Sequence, residues 1–207
     1  MKTLLSLLLA ACTLAPLAAA AQPQFAYTEV KPSLQVEADG KIEVLEFFWY
    51  GCIHCYNLEP AVEKWEKTLP KDVQFRRVPA VFNERWALDA AIFYTFEAMG
   101  VLDKLHRPFF DAIHKERLRS DNPQALREWL QKQGIDPAKF DATSKSFGVQ
   151  SKTRRASQLT GLYKIDGTPA MAVHGRYTVS TEQGRTQNGM FETVNYLVDT
   201  LRKGAKK

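Results

Sequence analysis

The chain has 207 residues, with 28 Lys or Arg against 23 Asp or Glu, so its formal net charge is +5. This length allows one domain with an insertion, and 45% hydrophobic and 25% charged residues are typical of a globular protein rather than a disordered or fibrous one. The basic residues form no dense run beyond Lys152, Arg154 and Arg155, which argues against nucleic acid as a partner. After residue 21, no stretch reaches the ~18 unbroken apolar residues of a membrane span.

The first 21 residues predict a secretory signal peptide. Lys2 gives a basic start, residues 4–17 are almost entirely apolar, and four alanines follow them. We therefore expect export and cleavage close to Gln22, leaving a mature chain without Cys12. Two alternatives stay open, namely an uncleaved membrane anchor and a lipoprotein signal, because residues 9–12 resemble a lipoprotein cleavage box.

The first half of the mature chain predicts a strand, a helix and a second strand. Residues 41–50 form a nearly continuous run of β-branched, aromatic and other apolar side chains, as expected of a strand buried on both faces. After Gly51 the apolar residues recur at helical spacing, at Leu58, Val62, Trp65 and Leu69. Cys52 therefore lies where a strand meets a helix N-terminus, and Pro60 is expected to kink this helix without ending it. The second strand is predicted at residues 73–78.

The second half predicts a helical block followed by a return to strands. Asn122-Pro123 and Asp136-Pro137 each combine a capping side chain with proline at the first helical position. Strand patterns return at residues 170–173 and 177–180, and an amphipathic helix closes the chain. We therefore expect an α/β domain made of residues 22–82 and 156–207, split by a helical insertion of residues 83–155.

Cys52 and Cys55 carry the clearest chemical signal in the sequence. A disulfide between them closes too small a loop to stabilise the fold much, so in an exported protein the pair is expected to react. The helix dipole and the free N–H groups of the first turn favour a thiolate at Cys52, and His54 adds to this effect. We predict Cys52 as the nucleophile and Cys55 as the buried resolving thiol. A stabilised thiolate favours the dithiol and makes the disulfide a strong oxidant.

Other chemistries of a Cys-x-x-Cys pair fit less well. A zinc site needs four ligands, and the remaining histidines are isolated from any second cysteine pair, so no metal is expected. Covalent haem needs a histidine after the second cysteine, where this chain has Tyr56. An inert structural disulfide stays open as an alternative. The three remaining histidines are interpreted as helix-surface or loop residues, namely His106, His114 and His174.

Three segments together resemble the DsbA family of periplasmic thiol:disulfide oxidoreductases, namely Val44–Phe48, Cys52–Tyr56 and Gly167–Ala170. The resemblance covers nearly the whole mature chain. It implies a thioredoxin-like fold with an all-helical insertion, in the periplasm of a Gram-negative bacterium. It also implies a monomer that oxidises reduced, unfolded exported proteins through a redox-active disulfide, without organic cofactor or metal. A membrane partner of the DsbB type would reoxidise it with quinone.

The resemblance assigns roles around the cysteines. Pro169 matches the cis-proline that packs against the active-site disulfide, and the backbone of Thr168 would pair with an extended substrate strand. Trp49 and Tyr50 are candidates for lining a peptide groove. The chain departs from the common family pattern at Ile53, where proline is frequent, and at Thr168, whose hydroxyl could touch the Cys52 sulfur.

The resemblance also singles out two acids. Glu46 matches a buried acid beneath the sulfurs, and an acid inside an apolar strand is costly unless it is paired or protonated. Two roles stay open for it, namely proton relay to Cys55 and an ion pair with Arg76 or Arg77. Glu59 matches a second family acid, on the active-site helix.

Two other functions remain as alternatives. A disulfide isomerase or reductase would share the chemistry, but only about 20 residues separate the predicted signal from the first strong strand, too few for the dimerisation module that exported isomerases of related fold carry. A non-catalytic peptide-binding chaperone would work equally well with both cysteines replaced by serine. We therefore predict a dithiol oxidase.

Overall fold

A computed structural model describes residues 25–204 of the chain. The predicted signal peptide, its cleavage site and Cys12 lie outside the described residues. Within them, no helix has the length and apolar character needed to cross a membrane.

A five-stranded mixed sheet forms the centre of the fold. Its strands are β1 (Thr28–Glu29), β2 (Ile42–Phe48), β3 (Val73–Pro79), β4 (Ala170–Val173) and β5 (Tyr177–Ser180), in the order β1-β5-β4-β2-β3. β2 pairs in parallel with β3, and the other neighbours are antiparallel. The four predicted strands are confirmed. The sequence did not predict β1, because two exposed residues give no hydrophobic pattern.

The helices are α1 (Ile53–Glu66), α2 (Glu84–Ala98), α3 (Leu102–His114), α4 (Pro123–Lys132), α5 (Pro137–Ser144), α6 (Phe147–Leu162), α7 (Thr181–Gly184) and α8 (Gln187–Gly204). α1 runs on through Pro60, as predicted. The two predicted caps are present, since the Asn122 side chain accepts from two backbone N–H groups of α4 and Asp136 accepts from one of α5. The helical block predicted after residue 83 is confirmed.

Two hydrophobic cores lie on the two faces of the sheet. Since side chains alternate along a strand, Val44 packs with α1 and α8, whereas Leu45 and Phe47 pack with the helical block α2–α6. Glu46 shares the strand and is as buried as its apolar neighbours. The face of β2 that packs against α1 therefore carries a buried carboxyl group.

The helical block extends beyond the predicted boundary between residues 155 and 156. That boundary lies inside α6, because Val149, Ala156 and Leu159 form one buried face that continues across it. The chain then passes through a short loop to Pro169 and enters β4. This loop brings residue 168 against the start of α1, more than a hundred residues earlier in the chain.

Candidate active site

Cys52 is the N-cap residue of α1, directly after the turn that follows β2. Its backbone is extended, with φ −85° and ψ 115°, and its sulfur accepts a hydrogen bond from the backbone N–H of Cys55 at 3.4 Å. The Cys52 thiol donates to the carbonyl oxygen of Thr168 at 3.3 Å. Both cysteines are free thiols, Cys52 partly exposed and Cys55 buried. The structure therefore shows the dithiol form of the site.

The environment of Cys52 lowers the pKa of its thiol to about 5. A hydrogen bond from the Cys55 side chain is the largest cause, and partial burial opposes it. The Thr168 side chain and the backbone N–H groups of Cys55 and His54 lower this pKa further. His54 therefore lowers the pKa of Cys52 through its backbone N–H, as expected at a helix N-terminus. The residue itself is exposed.

Cys55 has the opposite behaviour. Burial raises the pKa of its thiol well above the ordinary value, and the neighbouring Cys52 raises it further. At neutral pH the pair therefore holds one negative charge on the exposed sulfur and one proton on the buried sulfur. Such a pair is suited to nucleophilic exchange at Cys52 and to proton transfer at Cys55.

The loop before β4 completes the surroundings of the sulfurs. The Thr168–Pro169 peptide bond is cis, as the family resemblance implied. The Thr168 carbonyl oxygen accepts from the protonated Cys52 thiol, and a hydrogen bond from the Thr168 side chain lowers the pKa of Cys52. The same loop lines a cavity of about 580 Å³ together with residues of β1 and β5.

A buried ionic cluster lies between β2, β3, α1 and α3. We use this name for Glu46, Glu59, Arg77 and His106, and the exposed Glu66 lies at its edge. Arg77 holds its centre, with Nη2 2.8 Å from Glu59 Oε1 and Nη1 3.0 Å from Glu66 Oε2. Arg77 Nε is 3.4 Å from Glu46 Oε2. Glu59 lies one turn after Cys55 on the same face of α1, so the cluster reaches the active-site helix directly beyond the buried thiol.

Glu46 forms an ion pair with Arg77 but no hydrogen bond. Its side chain is fully buried, and neither of its oxygens has a hydrogen-bond partner among residues 25–204. Burial raises the pKa of Glu46 to about 8, the charge of Glu59 adds to this rise, and Arg77 opposes it. Arg76, the other candidate partner, pairs instead with Glu43 on the opposite face of β2.

His106 is the functional candidate that sequence reasoning missed. It was interpreted as a helix-surface or loop residue, and this was wrong, since it is 7% exposed and its Nδ1 is 2.8 Å from the Tyr50 hydroxyl. His106 Nε2 is 3.4 Å from Glu59 Oε1. Phe109 and Phe110 follow it at helical spacing and are fully buried, which was the available signal that it belongs to the inner face of α3.

The other two histidines also make local contacts. His114 Nε2 bonds to the Tyr50 carbonyl oxygen at 2.8 Å, and its ring stacks on Tyr56. His174 lies in the turn after β4, where its Nδ1 accepts from the backbone N–H of Glu43 at 3.3 Å. Within residues 25–204, no three His, Cys, Asp or Glu side chains are arranged to hold a metal ion.

The two residues expected to line a peptide groove differ in position. Tyr50 is 1% exposed and packs edge-on against Phe109 and Phe110, so its side chain is part of the core and offers no surface to a peptide. Trp49 is partly exposed and stacks on Trp86, with ring centroids 4.2 Å apart. Tyr50 is buried because α3 of the helical block packs over the end of β2.

Gly51 allows the close approach of the Trp49 ring to the active-site turn. A Cβ atom at this position would collide with the indole, so the residue before Cys52 has to be glycine in this arrangement. Ile53, the first residue of α1, is 49% exposed beside the nucleophile. The sulfur of Cys52 therefore lies in a surface that is partly apolar.

A dithiol with one acidic and one basic sulfur, placed at a helix start beside a cis-proline loop, defines a thiol:disulfide oxidoreductase of the thioredoxin type. The profile of the DSBA-like thioredoxin domain family matches residues 72–188. Thiol:disulfide interchange protein DsbA of Bordetella parapertussis is 44% identical over 196 residues, which cover 94% of this chain and 93% of that protein. The chain belongs to the DsbA family.

Further comparisons agree with this assignment. DsbA of Azotobacter vinelandii is 40% identical over 176 residues, covering 85% of this chain and 82% of the relative. The crystal structure of Pseudomonas aeruginosa DsbA superimposes with a TM-score of 0.84 at 37% identity, over 88% of this chain and 95% of that one. The predicted thioredoxin-like fold and the thiol:disulfide oxidoreductase activity are thereby confirmed.

Proposed function

We propose that the protein is a dithiol oxidase, which donates its Cys52–Cys55 disulfide to newly exported proteins in the periplasm of a Gram-negative bacterium. The difference between the two thiols carries this proposal, since the pKa of Cys52 falls to about 5 while that of Cys55 rises. A stabilised Cys52 thiolate lowers the free energy of the dithiol form, so the disulfide form oxidises other thiols strongly. The predicted signal peptide supports the compartment.

The reaction transfers two electrons from the substrate to the cysteine pair. A substrate thiolate attacks the Cys52 sulfur, the Cys52–Cys55 bond breaks, and Cys55 leaves as a thiolate that takes up a proton. A second substrate thiolate then attacks the substrate sulfur of the mixed disulfide. This step forms the substrate disulfide and releases Cys52 as the stabilised thiolate.

Glu46 is the proton donor to Cys55 in this proposal. Its raised pKa, about 8, keeps it protonated at neutral pH, and it lies inside the strand that leads to the active-site turn. After the transfer, Arg77 is the cation that stabilises the remaining carboxylate. Burial makes this exchange selective, because no bulk water competes for the proton.

The loop containing Thr168 and Pro169 is the substrate-binding element of the proposal. It lies against the Cys52 sulfur, and it lines the cavity of about 580 Å³ together with residues of β1 and β5. An extended peptide bound along this loop would present its thiol to Cys52. Main-chain pairing of this kind accepts many sequences, as a general oxidase requires.

Reoxidation completes the cycle. Each turnover leaves two electrons on Cys52 and Cys55, and we propose that a membrane protein of the DsbB type passes them to quinone. The redox-active disulfide serves in place of an organic cofactor or a metal, and the protein acts as a monomer.

The equilibrium of the mature protein with a graded glutathione buffer tests the direction of the reaction. Trp49 lies three residues before Cys52, so indole fluorescence is the signal that follows the redox state. We expect a potential on the order of −120 mV, as known for DsbA. A value near −270 mV, as in thioredoxin, would place the protein among reductases or isomerases instead.

The double variant Cys52→Ser, Cys55→Ser separates an oxidase from a binding chaperone. The oxidase must lose all ability to restore activity to a reduced, unfolded disulfide protein. A chaperone would retain its effect on refolding yields after both substitutions. The assay is run with the substrate in excess and with glutathione disulfide as the terminal oxidant.

A further inference from the structure

We propose that His106 is a positioning residue of the active site: it holds Glu59 as a carboxylate and so keeps the proton of the buried ionic cluster on Glu46. This inference rests on the proposed function, because Glu46 matters to the reaction only as the proton donor to Cys55. It assigns a role to a buried histidine that takes no part in the exchange of sulfur atoms.

His106 links the helical block to the active-site helix through both ring nitrogens. Nδ1 forms a hydrogen bond of 2.8 Å with the Tyr50 hydroxyl after β2, and Nε2 lies 3.4 Å from Glu59 Oε1 on α1, close to it but without the geometry of a hydrogen bond. The rings of Phe48, Phe93 and Phe110 surround the imidazole edge-on, with centroids 5.2 to 5.8 Å away. The imidazole is thereby fixed in one orientation.

The contact with Tyr50 decides where the imidazole carries its proton. Burial raises the pKa of the Tyr50 hydroxyl well above its ordinary value, so the hydroxyl keeps its proton and donates it to Nδ1. We therefore assign the proton of a neutral His106 to Nε2, the atom that faces Glu59. An N–H group this close to a carboxyl oxygen favours the charged form of the carboxyl group, because its positive end faces the oxygen.

The charge on Glu59 then determines the state of Glu46. Burial raises the pKa of Glu59, but His106 and Arg77 lower it more, and the result lies below the ordinary value. An ionised Glu59 in turn raises the pKa of Glu46. Two buried carboxyls share the single guanidinium of Arg77, so the one that His106 supports is ionised and the other retains its proton.

His106 also lines a cavity of about 500 Å³ between α1 and α3. Glu59 and Arg77 of the cluster line the same cavity. Titratable and charged groups face His106 or this cavity from every packed element: Tyr50 after β2, Arg77 on β3, Asp103 and Arg107 on α3, and Glu59, Glu63, Glu66 and Lys67 on α1 or at its end.

Two conservative substitutions separate the functions of the ring nitrogens. The amide nitrogen of His106→Gln occupies the place of Nε2 and can donate to Glu59, whereas that of His106→Asn occupies the place of Nδ1 and cannot reach Glu59. Both variants are made in the full mature protein, and the side-chain carboxyl carbons of ¹³C-labelled glutamate are titrated by NMR. In parallel, the pH profile of dithiol-peptide oxidation is recorded.

We expect His106→Asn to raise the titration midpoint of Glu59 by a pH unit or more and to shift the pH profile of the reaction. His106→Gln should retain the wild-type midpoint within a few tenths of a unit. The proposal is overturned if neither variant shifts the midpoint, if both shift it equally, or if only His106→Gln does. Should His106→Asn not fold, His106→Phe fills the aromatic pocket without a donor and replaces it.

The NMR titration of Glu59 requires no substrate. It therefore tests His106 even if the protein proves to be a reductase, and a failure of the proposed function is recognised separately by the glutathione equilibrium. A wild-type Glu59 midpoint in His106→Asn would overturn the role of His106 and leave the oxidase proposal intact.

Discussion

Cys52 and Cys55 are separated by two residues and have opposite acidities because one turn of helix takes them from solvent to core. Cys52 receives hydrogen bonds from the helix N-terminus, the Cys55 thiol and Thr168. Cys55 is surrounded by apolar side chains and faces the negative charge of Cys52. The nucleophile and the proton-accepting sulfur are therefore distinguished by their surroundings alone.

Alkylation by iodoacetamide tests the acidity of Cys52. In the reduced protein we expect the reaction rate at Cys52 to rise with a midpoint near pH 5, while Cys55 stays unmodified at neutral pH. Peptide mapping by mass spectrometry assigns the modified residue. In denaturant both thiols should titrate near the unperturbed value of about 8.5. A midpoint above pH 7 for folded Cys52 would contradict the thiolate argument.

The lowered pKa of Cys52 also predicts how the stability of the reduced protein depends on pH. A depressed thiol pKa contributes stability that is complete above the ordinary value and is lost as the pH falls through about 5. The free energy of unfolding of the reduced form should therefore decrease from pH 9 to pH 5 relative to the oxidised form. Denaturant titrations of both forms at several pH values measure this difference. An equal change in both forms would exclude Cys52 as its source.

Glu46→Gln is expected to stabilise the protein. A raised carboxyl pKa contributes stability that is present below the ordinary value and is lost as the pH rises through about 8. Glutamine has no proton to lose, so the gain in unfolding free energy should grow from pH 5 to pH 8 and exceed about 1 kcal/mol there. Glu66→Gln, which removes an exposed partner of the same Arg77, should show no such gain.

Helix boundaries in this fold are set by local side-chain chemistry. Asn122, Asp136 and Ser146 each cap the helix that follows by accepting from its first N–H groups. The sequence predicted the caps at Asn122 and Asp136, because proline follows each of them. α7 was not predicted, because four residues with a capping box give no hydrophobic period.

Asn122→Ala tests the energetic value of one such cap. The side chain accepts from the N–H groups of Gln124 and Ala125, both at 3.1 Å, and its loss should destabilise the protein by about 1 kcal/mol. Chemical denaturation followed by circular dichroism measures the change. Gln131→Ala, at an exposed position of the same helix, is the control and should change stability by less than about 0.5 kcal/mol. Equal effects would show that the cap contributes nothing specific.

At the scale of the whole molecule, the turn after β2 and the first turns of α1 join the sheet to the helical block. The Trp49 indole donates to Asp89 Oδ2 at 2.7 Å, and the Tyr56 hydroxyl donates to Asp111 at 2.8 Å. Asp89 is 1% exposed and also accepts from Ser120. We therefore expect the sheet and the helical block to unfold in one transition, with circular dichroism and tryptophan fluorescence coinciding.

Asp89→Ala should weaken this junction strongly. It removes the partner of the Trp49 indole, of the Ser120 hydroxyl and of Arg85, whose Nη1 lies 2.8 Å from Asp89 Oδ1. Leaving buried polar groups without partners costs about 2–4 kcal/mol in total. Asp121→Ala, which breaks an exposed pair with Arg119, should cost less than about 0.5 kcal/mol. A small effect of Asp89→Ala would show that water replaces the carboxylate.

The sequence determined the elements and the reacting pair. The run of residues 41–50, the helical spacing after Gly51 and the two caps followed by proline predicted β2, α1 and the helical block, because hydrophobic period and capping are local properties. Cys52 and Cys55 were recognisable for the same reason, since their spacing and their place at a helix start are local. The family resemblance added Glu46 and the cis-proline.

Only the tertiary structure decided which distant groups meet. Arg77 rather than Arg76 faces Glu46, because one residue along a strand changes the face of the sheet. The helical block buries Tyr50 and brings His106 to Glu59, although 47 residues separate them in the chain. The acidities of the site depend on these long-range contacts and on the exclusion of water, neither of which is encoded in a local pattern.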